Sequence, residues 1–157
     1  MSEETQKEAQ NEEPQFAIQR IYTKDISFES PNAPKVFVEN WTPEVNVGLK
    51  TQINTLDENN YEVVLTVNVE AKHQDNTVYL VEVQQAGIFL ARNIPQEQLG
   101  PLLGIGAPNA LFAYAREAVS DLTTRGTFAP FVLQPVNFEA MYAQQMAAQQ
   151  KQSAETH

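Results

Sequence analysis

Between Val45 and Ala91 the chain alternates apolar and polar residues with a period of two, and short polar stretches interrupt the alternation twice. Val45, Val47, Leu49, Thr51 and Ile53 fall on one side of an extended chain, opposite Glu44, Asn46, Lys50 and Gln52. Tyr61, Val63, Leu65, Val67 and Val69 repeat the pattern, opposite Glu62, Thr66, Asn68 and Glu70. The intervening "DENN" (57–60) and "HQDN" (73–76) are turn sequences, and "TVYLVEVQQAGIFLA" (77–91) is a further β-branched run. Strands joined by such short turns pair antiparallel, as a meander. Upstream, "FAIQRIY" (16–22) alternates too, which predicts Phe16, Ile18, Arg20 and Tyr22 on one face. An apolar face backed by a partly polar one predicts a sheet covered on one side only.

Near residue 92 the period changes. "IPQEQLGPLLGIGAPN" (94–109) is broken by Pro and Gly, so only short helical turns are expected there. From Asn109 to Thr124, Leu111, Phe112, Ala115, Ala118, Val119 and Leu122 follow helical spacing. Asn109 is a candidate N-cap, and Arg125 and Gly126 supply a basic last turn and a stop. "TFAPFVLQP" (127–135) is an extended apolar connection. "NFEAMYAQQMAAQQKQ" (137–152) is a second amphipathic helix, capped by Asn137, with Phe138, Met141, Tyr142 and Met146 on one stripe. Four strands followed by helices imply an α+β fold. A chain of 157 residues that is 42% hydrophobic suits one domain, taken as residues 15–150. A disordered acidic tail is expected over residues 1–14 and a flexible one over 151–157.

Charge and residue inventory exclude several function classes. Twenty acidic against ten basic side chains give a net charge of −10, the wrong sign for binding nucleic acid. With no cysteine, no disulfide, thiolate nucleophile or Cys-ligated zinc can form. His73 lies in a polar turn and His157 at the end of the chain, so no histidine pair is set up for catalysis or metal binding. "GIGAPN" (104–109) has the glycines of a phosphate loop but no strand before it, and Pro108 lacks the N–H a phosphate needs. It reads instead as a tight turn that lets a helix pack closely. No enzyme activity, cofactor or metal is expected. The N-terminal sequence lacks the basic and apolar regions of a secretory signal, and no apolar run is long enough to span a bilayer. A cytoplasmic location without membrane insertion is the expectation.

Two features are left over, and both lie in "YTKDISFESPNAPKVFVENWTP" (22–43). Residues 30–43 form a long connection punctuated by Pro31, Pro34 and Pro43, yet they carry Val36, Phe37, Val38 and Trp41. Such side chains pack on the domain, line a groove or make an oligomer contact. Asp25 and Glu29 share a face if the strand stays extended, as do Leu80 and Glu82 two positions apart. An acidic face around Leu80 would suit a basic protein segment or simply be a solvated sheet surface.

The blocks "FAIQRIYTKDISFESPNAP", "YLVEVQQAGIF", "APNALFAYARE" and "RGTFAPFVLQPVNFEAMYAQQ", in this order, resemble the SecB family of bacterial protein-export chaperones over about residues 16–146. The resemblance implies a four-stranded antiparallel sheet with a long helix and a C-terminal helix, assembled as a homotetramer, a dimer of dimers. It implies an ATP-independent cytoplasmic holdase that keeps preproteins unfolded and delivers them to the SecA ATPase. Carried over by position, Asp25, Glu29, Leu80 and Glu82 would contact SecA, with the last helix and tail as a second contact. Phe28, Phe37, Trp41, Phe89, Phe138, Met141 and Tyr142 would line client grooves. Where family members often have Cys, this chain has Val81, Leu102 and Ala107, which keep the packing but no thiol chemistry. The alternative reading is an oligomeric structural adaptor that binds a folded basic partner through its acidic sheet face.

Overall fold

The computed structural model describes residues 13–156. Four strands, β1 (Gln15–Glu29), β2 (Glu44–Thr55), β3 (Asn60–His73) and β4 (Asn76–Arg92), form one antiparallel sheet in the order β1-β4-β3-β2. β2, β3 and β4 are the expected meander. β1 lies beside β4, so residues 30–43 must cross from one edge of the sheet to the other. The β3–β4 turn needs positive φ at both central residues, and Gln74 (47°) and Asp75 (64°) adopt it. In the β2–β3 turn, Asp57 Oδ1 accepts from the N–H groups of Asn59 and Asn60, both at 2.9 Å.

β1 differs from the simple alternation. Its pairing with β4 shifts between Ile18 and Arg20 and again between Thr23 and Asp25, leaving Gln19 and Lys24 as bulged residues. Each bulge reverses which face the next residues take. Phe16 and Ile18 therefore share a face with Phe89, whereas Arg20 and Tyr22 align with Ile88 and Ala86 on the opposite one. The expectation that Phe16, Ile18, Arg20 and Tyr22 share one face is corrected for this reason. Gly87 makes room for the first bulge: a Cβ there would stand 3.0 Å from the Arg20 carbonyl oxygen.

The helical half is more continuous than its sequence suggests. α1 (Gln96–Pro101) runs through a π-helical turn (Leu102–Gly106) into α2 (Ala107–Arg125), so the expected break at "LGPLLGIGAPN" does not occur. The wider turn sits between Pro101 and Pro108, two residues that cannot donate a backbone hydrogen bond, and its own hydrogen bonds include Ala107 N–H to the Leu102 carbonyl. Asn109 is consequently an exposed residue inside the helix and not its cap. Asn137 does cap α3 (Phe138–Glu155), accepting from the Ala140 N–H at 3.0 Å, and the helix continues past Gln152 to Glu155.

α2 covers the apolar face of the two central strands. Leu111, Ala115 and Val119 are fully buried against a layer of Val63, Leu65, Val67 and Val83. Thr123, also fully buried, donates to the Val119 carbonyl at 3.1 Å and accepts from the Phe131 N–H at 3.0 Å, which ties the α2–α3 connection back to the helix. The glycines of the π-helical region serve packing. A Cβ on Gly100 would lie 2.6 Å from the Tyr142 hydroxyl, and one on Gly104 2.6 Å from the Tyr142 ring, so both seat α3 through that side chain. Gly104→Ala should loosen α3, lowering stability by about 1–3 kcal/mol and speeding amide exchange over residues 138–146 more than in the sheet.

The opposite face of the sheet holds one buried carboxylate. Glu62 accepts from the Tyr22 hydroxyl, from Asn54 Nδ2 at 2.9 Å and from Lys24 Nζ at 3.0 and 3.1 Å. The Tyr22 hydrogen bond, reinforced by those from Asn54 and Lys24, holds its carboxyl down at about 2 from an ordinary 4.5. Burial and then the neighbouring carboxylate push Tyr22 up to about 12. A depressed carboxyl stabilises the fold above its unfolded value and loses that contribution as pH falls toward the folded one. A raised phenol contributes below its unfolded value and fails as pH climbs through the folded one. The unfolding midpoint should therefore drop between about pH 4.5 and 2, and again above about pH 10. Glu62→Gln should flatten the acid limb while lowering neutral-pH stability by about 1–3 kcal/mol, measured by chemical denaturation.

Candidate functional site

After the second bulge, β1 aligns Asp25 with Gln84, Ser27 with Glu82 and Glu29 with Leu80. Across β4, Leu80 pairs with Glu70 and Glu82 with Asn68 of β3. Directly paired residues project to the same side of a sheet, so Asp25, Glu29, Leu80 and Glu82 share the face turned away from α2. Glu29, Leu80 and Glu70 form one row across three strands, an apolar side chain flanked by two carboxylates. Asp25 and Glu29 are exposed and take part in no ion pair among the described residues. Glu70 pairs with Lys72 at 3.5 Å. It was not singled out in the sequence, although the same alternation that marks β3 puts it on this face.

The aromatic side chains sort into separate places. Phe128, 9% exposed, is the hub of the first cluster. Its ring centroid lies 6.3 Å from Phe28, 5.5 Å from Phe37, 5.9 Å from Trp41 and 5.0 Å from Tyr79. Phe37 remains half-exposed and Trp41 part-buried, meeting Phe128 edge-on. Three anchors hold the crossover loop in this position. Val36 is buried, Ser30 Oγ donates to the Val78 carbonyl at 2.9 Å, and Asn32 Nδ2 donates to the Thr77 carbonyl at 2.8 Å. Near the far end of the loop, the Thr42 N–H donates to His73 Nδ1 at 3.2 Å. A cleft of about 400 Å³ opens between the loop and the β3–β4 turn, lined by Lys35, Val36, Trp41, His73 and Val78. Tyr79 and Phe128 were not named as site residues; the run of aromatics in "TFAPFVLQP" was the available signal for Phe128.

A second groove, of about 850 Å³, runs between the outer strand β2 and α3. Leu49 and Thr51 form one wall, Phe138, Met141 and Tyr142 the other, and Gly104 the floor. It continues toward Ile53 and Met146, both of which are exposed. Phe138 is buried and packs edge-on against Phe112, with centroids 5.8 Å apart, so it supports the wall from behind. Phe89 belongs to neither groove. It is fully buried and stacks on Phe16 at 5.8 Å, which makes it a core residue with no face open to a ligand. Parity alone could not reveal this, because groove and core side chains lie on the same side of the sheet.

No group of three His, Cys, Asp or Glu side chains among the described residues could hold a metal ion, and no described helix is long and apolar enough to cross a membrane. The arrangement offers apolar grooves and an acidic patch, with chemistry suited to binding polypeptide.

Comparison with known proteins agrees with this architecture. Residues 9–149 match the family described as preprotein translocase subunit SecB. The protein-export protein SecB of Azoarcus sp. strain BH72 is 55% identical over 142 residues, covering 90% of this chain and 94% of that protein. Its counterpart in Methylococcus capsulatus is 50% identical over 159 aligned positions, covering the whole of both chains. Among solved structures, a SecB-like chaperone of Mycobacterium tuberculosis in complex with a peptide from an antitoxin superposes with a TM-score of 0.65 at 19% identity. The match covers 78% of this chain and 91% of that one and reflects the shared fold. The chain belongs to the SecB family.

Proposed function

We propose that this protein is an ATP-independent cytoplasmic chaperone that holds preproteins unfolded and delivers them to SecA. Membership of the SecB family, over residues 9–149, carries this reading. The family is not enzymatic, and binding alone is the activity. Two apolar surfaces supply the physics. One is the nest of Phe37 and Trp41 on Phe128; the other is the groove of Leu49, Met141 and Tyr142.

An unfolded client exposes apolar side chains, each of which gains roughly 1.5–3 kcal/mol when fully buried. Ordering the bound segment costs about 2–5 kcal/mol, so one groove binds weakly and with little regard for sequence. A homotetramer, assembled as a dimer of dimers, would present several grooves to one long client at high effective concentration, and avidity would replace specificity. A folded protein hides the side chains that the grooves need, which makes the selection kinetic. Slow-folding chains are captured and fast ones escape.

SecA would dock on the face that carries Asp25, Glu29, Leu80 and Glu82, turned away from the grooves. Carboxylates around a half-buried leucine, with Asp25 and Glu29 outside any ion pair among the described residues, suit a basic partner with an apolar anchor. The last helix would provide a second SecA contact. The alternative, an adaptor for a folded basic partner, has the same acidic face in its favour but gives the grooves no role, and family membership does not favour it.

The purified protein should delay refolding of a denatured precursor without ATP, read by the precursor's fluorescence, and should ignore the same precursor once folded. Equal affinity for the native form would overturn the holdase reading and favour the adaptor. Charge reversal of Asp25 and Glu82 to Lys should weaken SecA binding at least tenfold, the effect of roughly 1.4 kcal/mol or more at a charged contact. The refolding delay should stay unchanged in the same variant. Parallel loss of both activities would show that docking and holding share one surface.

A further inference from the structure

The docking face exists only because of the second bulge in β1. Without the extra residue at Lys24, simple alternation would turn Asp25, Ser27 and Glu29 toward α2, and Ile26 and Phe28 outward. The bulged residue has no partner in the ladder, so its conformation must be set by something else. Side chains from the two central strands fix it from both faces. On the outer face, Lys24 Nζ reaches over β4 to Glu62 of β3, at 3.0 and 3.1 Å from the two carboxylate oxygens. On the inner face, Gln85 of β4, only 4% exposed, donates from Nε2 to the Tyr22 carbonyl at 3.1 Å. Tyr22 also donates to Glu62, so the residues before and within the bulge converge on one buried carboxylate.

We propose that Lys24 and Glu62 are positioning residues for the docking face: their ion pair locks the β1 bulge and so holds Asp25 and Glu29 in line with Leu80 and Glu82. This rests on the reading of that face as the SecA surface. The pair acts through the carboxylates beside it and not as a contact itself. Its effect also has a sign that charge alone cannot mimic. Lys24 is a cation beside an acidic patch, so removing it makes the patch more negative and, on charge alone, tightens a basic partner. Positioning predicts the reverse.

The test measures SecA affinity for Lys24→Met, which keeps most of the side-chain stem, and for Glu62→Gln, which keeps its shape. Both should weaken SecA by roughly three- to tenfold, the size expected from one typical lost hydrogen bond. The refolding delay of a denatured precursor should be unaltered, and amide exchange at Ile26–Phe28 should quicken. In an Asp25→Asn, Glu29→Gln background, Lys24→Met should have little further effect, because both carboxylates it positions are already gone. Unchanged or tighter SecA binding by Lys24→Met overturns the proposal. So does a loss of the same size in the Asp25→Asn, Glu29→Gln background, which marks general destabilisation. Asp25→Lys serves as the separate control. If it leaves SecA binding intact, the docking assignment itself is wrong, whatever Lys24→Met does.

Discussion

Strand parity is the constraint on which the rest of the molecule depends. A sheet with one face under a helix and the other open separates its side chains by odd and even position, and one extra residue exchanges the two sets. β1 uses that exchange twice, at Gln19 and at Lys24. The first bulge takes Phe16 and Ile18 to the side of Phe89 and sends Tyr22 to the other face, where it meets Glu62. The second aligns Asp25 and Glu29 with Gln84 and Leu80 of β4, on the face of Glu82, and returns Phe28 to the apolar side, against Tyr79 and Phe128. One edge strand thereby serves both surfaces. β4 is built to receive it, with Gly87 empty of side chain opposite the first bulge and Gln85 bonded to the strand at the second.

How far the sequence reveals this depends on the range of the forces involved. β2, β3 and β4 are legible because their alternation is uninterrupted and their turns are two and four residues from pattern to pattern. The bulges in β1 are not, since nothing in "IQRIYTKDI" distinguishes an unpaired residue from a paired one until its partner strand is known. The helical region misleads for the opposite reason. Its prolines and glycines are local breakers, but a π-helical turn and the close approach of Tyr142 make use of them. Asn137 is read correctly as a cap because capping is local, involving only Ala140 three residues away. At the grooves, aromatic content was visible while burial was not: Trp41 and Phe37 lie at the surface, and Phe89 is enclosed.

The two surfaces also differ in stiffness. The acidic row sits on paired strands whose backbone bonds run across the whole sheet. The grooves are bounded by a crossover loop and by α3, which reach the sheet through a few anchors: Val36, two side-chain hydrogen bonds, and Tyr142 on its glycine seat. Walls that can shift suit the proposed binding of varied apolar sequences, and fixed spacing suits the proposed docking of one partner.

Phe128 has a consequence for how the chain is made. The residues it gathers, Phe28, Phe37, Trp41 and Tyr79, are all synthesised before it, and it follows α2. While the ribosome has yet to release residue 128, the loop's anchors at Val78 and Thr77 can form, but Phe37 and Trp41 lack the ring they pack on. The half-made chain thus displays the same sticky, unfinished character as the polypeptides it is built to bind, and only its own last third ends that exposure.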